Sequence, residues 1–531
     1  MRRVRVLLLA FAAFFAISAM FAVTDPLGAP IDEAQHMAWA AAVSDGQIAP
    51  HRNLEEVFWG RDLVLVVAKV QIPKEIARLD TEVACFAQQP DKSARCYEPI
   101  NHSTRTVASS TEMGSYNPAY YLIVGWPVHV LPGLHGLYAM RIISALICSL
   151  LLALAAVLAL RIGRIAFSGV LVAATPMALF LAGSVNPNGP EAAGGLLAFT
   201  ALSALALDPQ PALVRSRFRL FALGAAVVTV VRPAGLEWFA VFVVMAVLLL
   251  GLRPVLGLVR DRRCRLPLGG LLLSLLYAAA WDLTRGGLNS LPVEGGNGYT
   301  VQRSLADSVN EMPGAFKAMI GTLGWNDTAA PFATEAAWIA LLGCLLLGAG
   351  LLATRRQLLV LAAWLADIVL MPMVANALTA KGLLNLWEGR YGLWFAVGLP
   401  IYAAILIATR IDSLPEAVAR VEDRLMTVFY AAVVLAHLAM YWLLVRRYGM
   451  GLRVSVLAHH FAWEPPMGWV PGALLLLGGL ALDGVLLWRC ATRWSPGGLG
   501  SAASPDHDAD AAPEPEPQPA LTSSTEIVTA A

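Results

Sequence analysis

Shortly after the first apolar run the chain sets two carboxylates beside an imidazole, in Pro30-Ile31-Asp32-Glu33-Ala34-Gln35-His36. A carboxylate within hydrogen-bond reach of a hydroxyl can act as its general base, a role worth about 10²–10⁴ in rate. At the exit of a membrane helix, Asp32 or Glu33 would meet a substrate whose head lies at the membrane surface while its tail stays in lipid. The alternative for Asp32 is a helix cap, with Pro30 before it and Gln35 at capping-box spacing. His36 is a candidate partner of the acid pair or a substrate contact, with a hydrogen-bonded structural histidine as the alternative.

A cation suited to phosphate stands much later, in Trp387-Glu388-Gly389-Arg390-Tyr391, just before another apolar run. The guanidinium of Arg390 is a planar, permanently charged fork that matches a phosphate. An ion pair with Glu388 is the alternative. Arg232 and Arg141, each among apolar residues, are further candidates, because charges in membrane segments tend to be paired or functional. Tyr116-Asn117-Pro118-Ala119-Tyr120-Tyr121 opens a short apolar helix with interfacial aromatics, either a surface for a lipid substrate or a simple aromatic belt. Ser184 to Glu191, with Asn186-Pro187-Asn188-Gly189, reads equally as a turn or as a binding segment. Gly324-Trp325-Asn326-Asp327-Thr328 adds an aromatic and an acid to a polar stretch.

These clusters must be positioned by membrane helices, since 58% of the 531 residues are hydrophobic and only 14% charged. Apolar runs of 17 residues or more recur, each long enough to cross roughly 30 Å of hydrocarbon at about 1.5 Å per residue. We read an all-α polytopic membrane protein with about twelve spans, near 6–24, 137–160, 165–184, 190–207, 219–232, 235–252, 267–282, 333–353, 358–376, 391–409, 425–445 and 469–489. The start, Met1-Arg2-Arg3-Val4-Arg5, precedes an apolar run longer than a usual signal-peptide core, so a retained first helix is expected. With that start inside, the dense Arg clusters at 161–164, 215–219, 253–265, 355–356 and 410–424 also fall inside, as the positive-inside rule requires. Arg446-Arg447 is the exception.

The domain expectation follows: residues 1–490 form the membrane unit with outer loops at 25–136 and 283–332, and 491–531 form a disordered cytoplasmic tail rich in Ala, Pro, Asp and Glu. The second loop includes Glu294-Gly295-Gly296-Asn297-Gly298-Tyr299. The balance of 38 basic against 37 acidic residues, without a single basic patch, gives no sign of a nucleic-acid partner. Of six cysteines, only Cys85 and Cys96 share an outer loop, where an oxidising exterior favours a disulfide over two free thiols. No Cys or His pair stands at zinc-ligand spacing.

The order of Pro30-x-Asp32-Glu33-x-x-His36, Tyr116-Asn117-Pro118-x-x-Tyr121, Leu323-Gly324-Trp325-x-Asp327-Thr328 with Pro331, and Glu388-Gly389-Arg390-Tyr391 with Pro400 carries a resemblance. Over roughly residues 1–410 the chain resembles a bacterial membrane-protein family, number 2142 of the domain-of-unknown-function series, that is similar to GT-C class glycosyltransferases. The resemblance implies a GT-C-like bundle in a bacterial cytoplasmic membrane, with both termini cytoplasmic. It also implies transfer of a sugar from a polyprenyl-phosphate donor to a glycan or lipid-linked acceptor of the cell envelope. The acid after the first helix falls on Asp32, with Glu33 beside it, and substrate contacts fall on His36, Asn117, Tyr121, Trp325, Asp327, Glu388, Arg390, Tyr391, Arg232 and Arg141. Some related enzymes use a divalent ion, for which Asp32, Glu33 and Asp327 are candidate oxygen ligands. Glu388 and Asn188 depart from the family, which often has Gln at the first position and an acid at the second.

Two readings stand beside this one. A flippase or transporter of lipid-linked sugars should carry ionisable groups deep in the membrane, where Asp282, Asp367 and Asp483 are the acids available. A polymerase or ligase of surface glycans is chemically close to the transferase itself.

Overall fold

The computed structural model describes residues 2–58, 62–98, 103, 105–285, 300–379, 387–411, 416–455 and 460–491. The Glu294 to Tyr299 segment and the tail from 492 lie outside the described residues. Nine described helices are long and apolar enough to cross a membrane, or eleven if each of two bent pairs counts as one span. Among the described residues the expected twelve is not reached because helix Val214–Val231 carries Arg215, Arg217 and Arg219 in its first two turns, too much charge for a membrane span. The expected span 165–184 is broken: Arg164–Ala173 and Pro176–Ala182 meet at 67°, since Pro176 disfavours helical backbone at the preceding Thr175.

Helix ends fall into two polar layers. One gathers the loop after helix Arg2–Thr24, the start of Leu134–Ile162, the 183–191 turn, Arg232 and the start of Gly389–Ala396. The other holds the Arg-rich ends, where Arg164 meets Glu422 at 2.7 Å and Arg356 donates to Leu248 O at 3.2 Å. Between the layers the helices meet through aromatic and small side chains. Phe199 packs on Trp364 at 4.9 Å and Phe242 at 5.0 Å. Trp364 also donates to Phe395 O at 3.2 Å, which anchors helix 389–396 one turn beyond Arg390. Helix Val470–Val485 closes the bundle against the first helix, with Gly479 tight on Ala13 and Ile17.

The first loop corrects the all-α expectation. Strands β1 (Arg52–Phe58), β2 (Asp62–Pro73) and β3 (Thr106–Thr111) form an antiparallel sheet in the order β1-β2-β3. Ala68 pairs with Thr111, and Pro73 with Thr106. The alternation in β2 is the reason: Val70 and Ile72 are buried while Lys69 and Gln71 are exposed, the period of two that a one-sided sheet needs.

Cys85 and Cys96 are bonded, their Cα atoms 6.0 Å apart. The bridged segment is moored to helix Glu416–Gly449 by Arg447, which donates to Lys92 O at 2.7 Å, Phe86 O at 2.9 Å and the Asp327 carboxylate at 2.8 Å. This buried clamp explains the exception to the charge rule: Arg447 lies on the loop side because it holds loops together. Closing a loop of this size removes roughly 3 kcal/mol of entropy from the unfolded chain. A non-reducing peptide map should therefore recover the two cysteines linked, and reduction should lower the melting temperature. Free thiols at both positions in oxidised protein would refute the bridge.

Candidate functional site

Asp32 and Glu33 are neighbours in sequence and opposites in space. Asp32 stands before helix Glu33–Ser44 with φ 61° and ψ 0°, a left-handed conformation that Asp and Asn tolerate better than other side chains. Its side chain makes no capping bond, so the cap alternative fails. Gln35 does not reach back to complete a capping box either. It donates to Asp80 and accepts from Glu112 N at 3.3 Å.

Glu33 turns inward. Its carboxylate, fully buried, takes two bonds from Arg141, Nε to Oε1 at 2.8 Å and Nη2 to Oε2 at 2.5 Å. It also accepts from Gly28 N at 2.9 Å and Val185 N at 3.0 Å. Arg141 spends its other donors on Ala22 O at 3.0 Å, Asp25 O at 2.8 Å and Pro26 O at 2.8 Å, so all its N–H groups are satisfied. Gly28 has φ 79°, which suits glycine at that turn. The structure thus takes Glu33 and Arg141 out of the candidate chemistry and makes them the fastener of the turn that displays Asp32.

Asp32 turns to Arg390, its Oδ2 accepting from Nη2 at 2.7 Å. Gly389 permits this, because a Cβ there would stand 2.2 Å from Ala315 O. Arg390 Nη1 lies 2.7 Å from Glu388 Oε2, an ion pair without hydrogen-bond alignment, and its Nε and Nη1 are buried with no hydrogen-bond partner. The Tyr391 ring lies between two cations, 4.9 Å from the Arg390 guanidinium and 4.5 Å from that of Arg232. Arg232 meets Glu191 at 3.3 Å and Asn188 Oδ1 at 3.3 Å. Asn186 donates to Ile31 O at 3.1 Å, tying the 183–191 turn to the backbone beside Asp32. Burial pushes the Asp32 carboxyl up to about 6; Arg390 opposes the rise, and Glu388 and Asp80 add to it.

One wall of the site is aromatic. His36 Nδ1 lies 2.8 Å from the Tyr121 hydroxyl, and its ring meets Tyr116 edge-on at 5.5 Å. Burial, then the charges of Arg390 and Arg232, hold the His36 imidazole well below its usual range and keep it neutral. Asn117 is the cap of helix Pro118–Gly125, accepting from Ala119 N at 3.0 Å, while its Nδ2 is buried without a partner. Leu122, Ile123 and Trp126, all about half exposed, fit the interfacial helix expected there. Glu112 belongs to the same electrostatic neighbourhood: burial, with Asp32 and Asp80, pushes it up to about 8.

Trp325 and Asp327 are set apart. Trp325 donates to Gly28 O at 3.3 Å, bracing the turn from behind, and Asp327 pairs with Arg447. Asp32, Glu33 and Asp327 therefore each answer a different arginine and do not converge as one ligand set. Among the described residues no three His, Cys, Asp or Glu side chains group to hold a metal ion.

One helical turn past Arg390 an apolar groove of 390 Å³ opens, lined by Leu393, Val397, Met319, Ile320, Trp338 and Leu365 among others. The groove, Asp80 and Glu112 were outside the sequence expectation, and Glu191 lay in it only as the end of a segment read equally as a turn or as a binding segment. Only Glu191 had a signal, as the acid ending the Asn-Pro-Asn-Gly-Pro turn.

A search of curated proteins found no match to the chain. A family model described as predicted membrane protein (DUF2142) matches residues 15–399, which include Asp32, Glu191, Arg232 and Arg390. On that match, which spans most of its length, the chain belongs to the DUF2142 family of predicted membrane proteins.

Proposed function

We propose that this protein is a membrane glycosyltransferase that moves a sugar from a polyprenyl-phosphate donor to an envelope acceptor, with Asp32 as the base. The observation that carries this reading is the shared guanidinium: Arg390 pairs with Asp32 through Nη2 and with Glu388 through Nη1, keeps Nε without a hydrogen bond, and stands one helical turn before Leu393, which lines an apolar groove. An isoprenoid chain suits the groove, and its phosphate suits Arg390, whose Nε has no hydrogen-bond partner and whose Nη1 faces Glu388 in an ion pair that a phosphate would displace, with Arg232 behind Tyr391. The acceptor hydroxyl gives its proton to Asp32 as its oxygen bonds to the anomeric carbon. The bond from that carbon to the phosphate oxygen breaks, its electron pair leaves on the phosphate, and the carbon inverts. Preorganised charge at the leaving group is usually the larger catalytic effect, so Arg390 counts as much as Asp32.

The test is full-length protein in proteoliposomes with a panel of polyprenyl-phosphate sugars, following release of polyprenyl phosphate. Wild type should release it, and Arg390→Ala should weaken donor binding as well as turnover, because the phosphate is held before and during the reaction. A flippase of lipid-linked sugars is the second reading, favoured by Asp483, buried in helix 470–485 with an unpartnered Oδ1. Movement of a fluorescent lipid-linked sugar between leaflets, without release of polyprenyl phosphate from any donor, would select that reading.

We infer from the Arg distribution that the Asp32 layer faces the outside of a bacterial inner membrane. In a chain freed of its unbridged cysteines, new cysteines at Ser110 and Glu311 should label from outside, and those at Arg260 and Arg355 only after permeabilisation. Labelling of position 311 from the cytoplasmic side would invert the scheme.

A further inference from the structure

A second groove, of 380 Å³, lies in the Arg-rich layer, away from the Asp32 site. Val4 and Leu7 of the first helix and Leu158 of helix 134–162 give it apolar walls, while Arg161, Arg217 and Arg219 line it with positive charge. No acid is among its lining residues. Arg217 is almost fully buried: its Nη1 donates to Ala204 O at 2.9 Å and its Nη2 pairs with Asp208, but its Nε has no hydrogen-bond partner. Arg219 is exposed and makes no ion pair among the described residues.

Apolar walls, basic lining and a buried unused N–H ask for one molecule that brings an acyl chain and an anionic oxygen together. We infer that this groove is a binding site for an anionic phospholipid, with the chain against Val4, Leu7 and Leu158 and the phosphate facing Arg161, Arg217 and Arg219. Basic pockets between membrane helices bind anionic headgroups in this manner. A bound free phosphate would leave the apolar walls unused, and a zwitterionic lipid would carry its own cation against the arginines. The site is separate from the proposed sugar chemistry and stands without it.

The experiment is titration of full-length protein with dioleoyl phosphatidylglycerol and, separately, dioleoyl phosphatidylcholine, with adducts resolved by native mass spectrometry. Phosphatidylglycerol should bind in preference. Each lost surface charge weakens the attraction about fivefold, so Arg219→Gln should weaken it about fivefold and Arg161→Gln with Arg219→Gln about 25-fold. Arg219 is exposed and makes no ion pair among the described residues, so in Arg219→Gln the melting temperature without lipid should stay at the wild-type value. Val157→Trp, which fills the groove and leaves the charges in place, should also displace the lipid. Equal retention of the two lipids, or phosphatidylglycerol binding unchanged in the double variant, would overturn the site. Inorganic phosphate competing at the same concentration as the lipid would show an anion site with no lipid specificity and would overturn it as well.

Discussion

Asp32→Asn should lower sugar transfer about 100-fold or more while the fold and donor binding persist. Asn tolerates the left-handed backbone at this position as Asp does and keeps a carbonyl oxygen for Arg390, so the change removes basicity with little else. A larger side-chain loss, as in Asp32→Ala, would confound the result with backbone strain. The pH profile gives an independent check. Burial raises the Asp32 carboxyl to about 6, so the base is lost to protonation as pH falls through that value, and transfer should show an acid limb there. Its contribution to stability has the opposite direction: because the folded value exceeds the unfolded one, stability is full below about pH 4 and declines as pH rises through 6. Wild-type turnover in Asp32→Asn would assign the base elsewhere.

Glu33→Gln should instead leave the chemistry intact per folded molecule and lower stability by about 3–5 kcal/mol, since it strands the buried Arg141 charge. Thermal unfolding in detergent or nanodiscs measures it. Combining Glu33→Gln with Arg141→Met should recover part of the loss, because removing both charges relieves the desolvation that one alone leaves uncompensated. If Glu33→Gln melts like wild type and fails in transfer, the two acids have been assigned the wrong way round.

That adjacent pair also marks how far the sequence could be read. Residue type and place singled out the acids at the first helix exit; in the structure Arg390 pairs with Asp32, and Arg232 with Glu191. Which acid faced outward depended on a single positive φ at Asp32 and on an arginine 108 residues from Glu33, neither of which leaves a local pattern. Asp327 looked like a member of the same cluster and is held by Arg447, beyond the family match. Helices were legible because lipid requires long apolar runs. The strands were hidden by the polar character of the loop around them, although Val70-Gln71-Ile72 carried their period. The break at Thr175, inside the expected span 165–184, was missed although Pro176 carried its signal, and the groove beyond Arg390 had no local signal, since it is made of helices far apart in the chain.

The separation of Asp32 and Arg390 by 358 residues also has a meaning in time. At synthesis rates of roughly 5–20 residues per second, the arginine emerges about 20 to 70 s after the aspartate. Arg141 emerges after only about 5 to 20 s by the same rates, so the Glu33 fastener can set early and hold the turn ready. The left-handed residue is then already in place when its cation is made. On this order a lesion at Glu33 would act before Arg390 is made and lower the yield of folded protein, while each molecule that folds keeps its chemistry.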